Sequence, residues 1–258
     1  MLSACPDCGG HKLSYAGTGT QRIVADLQRL YPAARILRMD NDTTSGKEGH
    51  YKILKTFADK KADILVGTQM IAKGHDFPSV TLVGILDADM SLHFSDYRSG
   101  ERTFQLLTQV AGRSGRAEEK GKVVLQTFDP ENDVLRFATA YDYEGFYQNE
   151  ISLRAAMAFP PFSKIVRVLI TGEDDKKCLE ALREVYFALE KLYTEQTEKF
   201  LFFNKMRSPI KRLQNKFRYQ VLMRLSDTSV LPEIYAICAE ARNRDALVSV
   251  EENPANLS

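Results

Sequence analysis

The octet Gln109-Val110-Ala111-Gly112-Arg113-Ser114-Gly115-Arg116 sets two arginines three apart, each directly after a glycine. A guanidinium stays charged at physiological pH, and its planar fork matches a pair of phosphate oxygens. Glycine beside it lets the backbone bend and come close to a ligand. Two such forks suit charge developing on a phosphoryl group in transfer, a role arginines often fill from outside the domain that cradles the nucleotide. The competing reading is a basic helix end that complements the helix dipole. No G-x-x-x-x-G-K-[ST] loop occurs in the 258 residues, so the nucleotide's usual cradle is not in this chain.

Two further turns carry anion-binding chemistry. In Ile64–Phe77, "ILVGTQMIAKGHDF", a buried strand runs into Gly67, Thr68 and Gln69, which offer backbone N–H groups, a hydroxyl and an amide at a strand end. Lys73 adds a point charge, Gly74 a flexible position, and Asp76 an acceptor for a hydroxyl, an amide or an arginine. "GTGTQR" (17–22) is a glycine-threonine turn entering a helix, where free N–H groups and the helix dipole favour an anion. Either turn also reads as ordinary α/β punctuation. "SGKEG" (45–49) fails the P-loop spacing, and the acids of "GILDAD" (84–89) have no magnesium–nucleotide complex to serve without that loop. Lys211, Arg212 and Arg218 belong to a basic run, 204–220, interleaved with Phe217 and Tyr219. Such a run fits a DNA backbone and its bases or, equally, a solvated hairpin whose rings are core.

Cys5 and Cys8 form C-P-D-C-G-G, half of a zinc site, with His11 as a third donor; a structural zinc takes four. The missing ligands are expected upstream. His50, His75 and His93 show no ligand spacing, and Cys178 and Cys238 read as small buried hydrophobes.

The elements that must position these residues follow from periodicity. Helices are predicted at 20–30, 51–59 and 101–112, and strands at 34–40, 62–69, 80–89 and 121–128. The alternation predicts a parallel lobe with functional loops at the carboxyl ends of its strands. Helical patterns at 132–140 and 143–157 stop at "FPPF" (159–162). Beyond lies the order β-α-β-β-α-β: strand 164–172, helix 174–197, strands 199–209 and 218–226, helix 229–243, strand 246–251, a split βαβ with an antiparallel sheet. Hydrophobic residues make up 44% and charged ones 27%, as in soluble globular proteins, and 35 Lys+Arg nearly cancel 34 Asp+Glu, so net charge selects no partner. No apolar run reaches the ~18 residues of a membrane span, and no signal sequence opens the chain, which predicts a cytoplasmic protein.

Taken in order, these motifs resemble superfamily 2 DNA helicases of the PriA type. The resemblance runs through "CPDCGG", "GTGTQR", "DILVGTQMIAKGHDFPSVTLVGILDAD", "DYRSGERTFQLLTQVAGRSGRAEEKGKVVLQT", "AFPPFSKIVRV" and "KFRYQVLMR", nearly the whole chain. It implies the end of a zinc-binding insertion (1–13), a RecA-like second helicase lobe (14–130), a helical linker (131–162) and a smaller α+β, ferredoxin-like domain (163–258). It further implies that Gly19, Thr20, Gln21, Thr68, Gln69 and Lys73 face DNA, that Gly74 and Asp76 lie toward the ATP cleft, and that Gln109 couples to it. Arg113 and Arg116 would be arginine fingers on ATP with Mg2+, and Cys5 and Cys8 part of a Zn2+ site. The expected activity is 3′–5′ unwinding of stalled or branched forks at the start of primosome assembly, with the P-loop lobe absent and this piece ATPase-inactive by itself. Expected partners are branched and single-stranded DNA, single-stranded DNA-binding protein and other primosome proteins, with the chain a nucleoid-associated monomer. The family tends to finish D-V-D-P, whereas this chain has Glu251-Glu252-Asn253-Pro254. Two alternatives stand: another superfamily 2 repair or recombination helicase, and a non-catalytic DNA-binding adaptor.

Overall fold

The computed structural model describes residues 19–40, 47–68, 71, 77, 79–94, 96–112, 121–241 and 246–254. It has two compact units, one of Met1–Leu92 with Arg102–Tyr141, the other of His93–Glu101 with Asp142–Ser258.

The first unit is mixed α/β with parallel pairing. Helix α1 (Thr20–Leu30) precedes β1 (Ile36–Met39), and α2 (Lys47–Ala58) precedes β2 (Ile64–Gly67). β1 and β2 pair in parallel from Ile36↔Ile64 to Met39↔Gly67. β3 (Leu82–Ile85) pairs in parallel with β4 (Lys122–Leu125), and α4 (Asp133–Ala140) and all but the first three residues of α3 (Ser99–Ala111) belong to the same unit. Among the described residues this gives four strands in two pairs, one within each of the four stretches predicted as strand. Met39, Leu54 and Phe77 form its buried centre, with the Phe57 ring edge-on to Phe77 at 5.1 Å.

The strand ends are fixed by charge. Before β1 and β2, Asp63 accepts the Arg35 backbone N–H (2.8 Å), Nε (3.0 Å) and Nη2 (2.7 Å). These bonds from Arg35 hold the Asp63 carboxyl down to about 2. The third predicted strand stops at Ile85 rather than Asp89, because Asp87 turns left-handed (φ 54°) and Asp89 folds inward. Burial by itself would raise the Asp89 pKa, but the Thr127 hydroxyl (2.6 Å) and the Phe128 N–H (2.8 Å) bond its carboxylate and lower it. Asp89 thus ties the end of β3 to the end of β4.

The second unit has the predicted order: β5 (Lys164–Gly172), α6 (Asp175–Glu195), β6 (Phe200–Leu213), β7 (Lys216–Leu225), α7 (Leu231–Glu240), β8 (Leu247–Glu252), preceded by α5 (Tyr143–Ala156). The sheet is antiparallel in the order β6-β7-β5-β8. Alternation sends Val166, Val168 and Ile170 of β5 and Val221, Met223 and Leu225 of β7 to the side where α6 brings Val185 and Leu189 and α7 brings Ile234. Each such fully buried side chain contributes about 1.5–3 kcal/mol. Cys178 and Cys238 are buried in this core as predicted. The stretch expected as a linker divides, with α4 in the first unit and α5 in the second.

Candidate functional site

α1 begins at Gly19, whose carbonyl accepts the Arg22 (3.0 Å) and Ile23 (3.2 Å) N–H groups. A Cβ at Gly19 would meet nothing within 4 Å, so no packing demand requires glycine there. The Thr20 hydroxyl donates to Asp40 Oδ2 at 2.6 Å, and Asp40, directly after β1, also pairs with Arg38 at 3.1 Å. A phosphate at this helix end would therefore meet the Thr20 backbone N–H rather than its hydroxyl. Gln21 is exposed.

Thr68 follows β2 as Asp40 follows β1, and Met39 and Gly67 are register partners. The structure thus brings the Gly19-Thr20 helix start and the Gly67-Thr68 strand end to the same carboxyl edge of the β1·β2 pair, with Thr68 exposed. Gly67 is dictated by packing: a Cβ there would lie 2.3 Å from the Met39 carbonyl oxygen and 2.4 Å from Ile71 Cδ1. Gly67→Ala is expected to destabilise the chain by about 1–3 kcal/mol through overpacking against backbone that cannot rotate away. A urea unfolding midpoint equal to the unaltered protein's would refute that.

Gln109 is exposed near the end of α3, which buries Thr103, Phe104 and Leu107 on its other face. Thr103 donates its hydroxyl to Ser91 at 2.8 Å, anchoring the helix, and the Gly112 N–H bonds Thr108 as the helix closes. The remaining expected site residues, Gln69, Lys73, Gly74, Asp76, Arg113 and Arg116, lie outside the described residues, as do Cys5 and Cys8. Among the described residues no group of three or more His, Cys, Asp or Glu is placed to hold a metal ion. Two thiolates and the His11 imidazole fall one short of a closed tetrahedral set, so these residues by themselves do not fit a structural zinc.

The basic run forms the β6–β7 hairpin. Lys211 and Arg212 are exposed near its tip, and Arg218 is half-buried on β7. Arg212 is held internally: its Nη2 donates to Asn215 Oδ1 at 2.6 Å, and its guanidinium lies 4.8 Å from the Phe217 ring centroid. Phe217 and Tyr219 pack on the core, with the Tyr219 hydroxyl donating to Asp175. The two rings thus pack partly buried against the core, while Lys211 and Arg212 are exposed.

Sequence reasoning missed a cluster within "DYRSGER". The Tyr97 ring stacks on Phe159 (5.6 Å between centroids), with the Arg98 and Arg154 guanidinium groups 4.9 and 5.1 Å from its centroid. Arg154 bonds Glu101 and Glu150, each at 2.8 Å. These residues are far apart in sequence, and no periodicity signals them. The variant terminal acids also find work. Glu251 accepts Arg167 Nη2 at 2.6 Å, and Glu252 accepts Lys164 at 2.9 Å, a bond that lowers its pKa together with the one from Tyr235. Asn253 exchanges two hydrogen bonds with Ile165. The tail clamps β8 onto β5.

Residues 18–118, which carry the α1 turn, the β2 end and α3, match the family described as Helicase conserved C-terminal domain. The class is therefore a helicase one. Residues 155–255 match the Primosomal protein N C-terminal domain. Replication restart protein PriA of Bacillus subtilis is 40% identical over 255 residues, covering 97% of this chain and 31% of that protein. Its namesake in Chlamydia muridarum is 46% identical over 180 residues (69% of this chain, 23% of that protein), and that of Synechocystis 36% over 220 (85% and 26%). The chain belongs to the PriA family and corresponds to the C-terminal part of its members. It spans about a quarter to a third of the length of these relatives.

Proposed function

We propose that the chain supplies the RecA-like second motor lobe and the ferredoxin-like C-terminal domain of an ATP-dependent 3′–5′ DNA helicase, one that engages stalled or branched forks and starts primosome assembly. The observation that carries this reading is the convergence of Gly19-Thr20-Gln21 and Gly67-Thr68 on one carboxyl edge of a parallel strand pair, in a chain matching a helicase C-terminal domain. Strand carboxyl ends are where α/β sheets place ligands. There the Gly19 backbone, the Thr20 N–H, Gln21, Thr68 and Gln69 hold DNA phosphates, with Lys73 adding charge.

Gly74 and Asp76 lie toward the ATP cleft, Gln109 couples DNA to it, and Arg113 and Arg116 present their forks to the triphosphate. ATP with Mg2+ supplies the phosphoryl group transferred to water. The chain's own part is to offer fixed positive charge where negative charge develops. The cradle for the phosphates belongs to a P-loop lobe, so the 258 residues by themselves turn over no ATP. Cys5 and Cys8 are half of a zinc site completed by ligands outside this donor set. Other primosome proteins and single-stranded DNA-binding protein are the expected partners, in the cytoplasm at the nucleoid. Among the described residues no helix is long and apolar enough to cross a membrane.

The test is fluorescence anisotropy of labelled forked DNA titrated with the chain at several salt concentrations. Binding is expected to weaken linearly in log-log form as salt rises, through counterion release. No binding at low salt would sink the DNA reading.

A further inference from the structure

We propose that Leu213 is a strand-separating wedge: an apolar side chain at the tip of the β6–β7 hairpin that stacks on the last base pair where a DNA duplex opens. The proposal rests on the DNA-binding reading above and adds to it a position on the DNA and a residue.

Charge selects the occupant. Residues 199–226 hold eight Lys or Arg and no Asp or Glu, in a chain whose net charge is only +1. Of the three acids that directly follow β5, Glu173 is exposed and the other two are used within the fold. Asp174 caps α6 by accepting the Lys176 and Lys177 N–H groups, and Asp175 accepts the Tyr219 hydroxyl. A polyanion is therefore the complementary partner.

Within this basic tip Leu213 is 50% exposed, and among the described residues neither cluster of buried apolar residues includes it. It pairs with Lys216 across the hairpin, and strand alternation puts Arg218 on the same face. The tip is stiff. Gln214 and Asn215 are both left-handed (φ 49° and 66°), the two-residue turn that matches strand twist. Arg212 braces it through Asn215 and the Phe217 ring, which is itself anchored in the core. Stiffness matters because prising a base step apart costs stacking energy, and a pliant hairpin would bend instead. Leucine is among the side chains proteins insert between base steps, and flanking cations hold the two backbones while it does so.

Forked DNA with 2-aminopurine at the junction base pair reads the event, since emission rises when that base unstacks. Saturating forked DNA with the 258-residue chain is expected to raise the junction signal and to leave a probe deep in the duplex unchanged. At saturation, Leu213→Ala is expected to lose the rise and Leu213→Phe to keep it, with thermal unfolding of each variant matching the unaltered chain. A junction rise that persists in Leu213→Ala, with salt-dependent binding intact, overturns the wedge alone. Absence of binding by the unaltered chain overturns the DNA reading and the wedge with it.

Discussion

Arg116→Ala is expected to lower DNA-stimulated ATP turnover by about 10³–10⁵, the range spanned by loss of an arginine finger. The protein for this measurement is a chimera in which the chain replaces the matching 255 residues of the Bacillus subtilis relative, with unaltered Arg116 as its control. The size of the effect comes from where the charge acts. A guanidinium preorganised in a cleft from which water is excluded stabilises the transition state far more than it would in water. Arg116→Lys keeps the charge but loses the planar fork, and it should recover only part of the rate. Measuring DNA affinity alongside separates a defect in turnover from one in DNA binding. Near-normal turnover in Arg116→Ala would reduce the arginine pair to a basic helix end.

The second large effect belongs to the hairpin. Replacing Lys211, Lys216 and Arg218 together by alanine is expected to flatten the salt dependence of forked-DNA binding by about three in log-log slope, about 0.9 for each phosphate no longer neutralised. At physiological salt the same change amounts to roughly 10²-fold weaker affinity. Lys211 and Lys216 are exposed and Arg218 is half-buried on a strand face with Lys216, so the substitutions remove charge without opening the core. Arg212 stays in place because it braces Asn215 and Phe217, and removing it would loosen the tip as well as its charge. An unchanged slope would mean that the hairpin is merely solvated and that DNA binds elsewhere.

The parts of the fold legible in the sequence are those set by local periodicity. The β5 pattern "KIVRVLITG" and the apolar stripe of α6 are long enough to define their faces, and both occur where predicted. What was not legible depends on tertiary bonds. β3 ends four residues early because Asp89 turns inward to Thr127 and Phe128, across 38 residues of chain. β6 runs through Pro209 to Leu213, past the predicted end at 209. An edge strand tolerates proline, and its register shifts between Arg207 and Arg212. Alternation placed Phe217 and Tyr219 on one face without saying which face was buried. At the candidate site, Gly67 and Thr68 were named from residue type, but the steric reason for Gly67 lies in the Met39 carbonyl on another strand. The engagement of the Thr20 hydroxyl by Asp40 was invisible for the same reason.

One measurement bears most directly on the claim that these 258 residues form one side of a DNA helicase's ATP cleft. It is ATP hydrolysis with and without forked DNA, by the chain by itself and by the Bacillus subtilis chimera. No turnover is expected from the isolated chain at any DNA concentration, and DNA-stimulated turnover is expected from the chimera. DNA-stimulated hydrolysis by the isolated chain, or a chimera that binds forks and ATP yet never turns over, would contradict it.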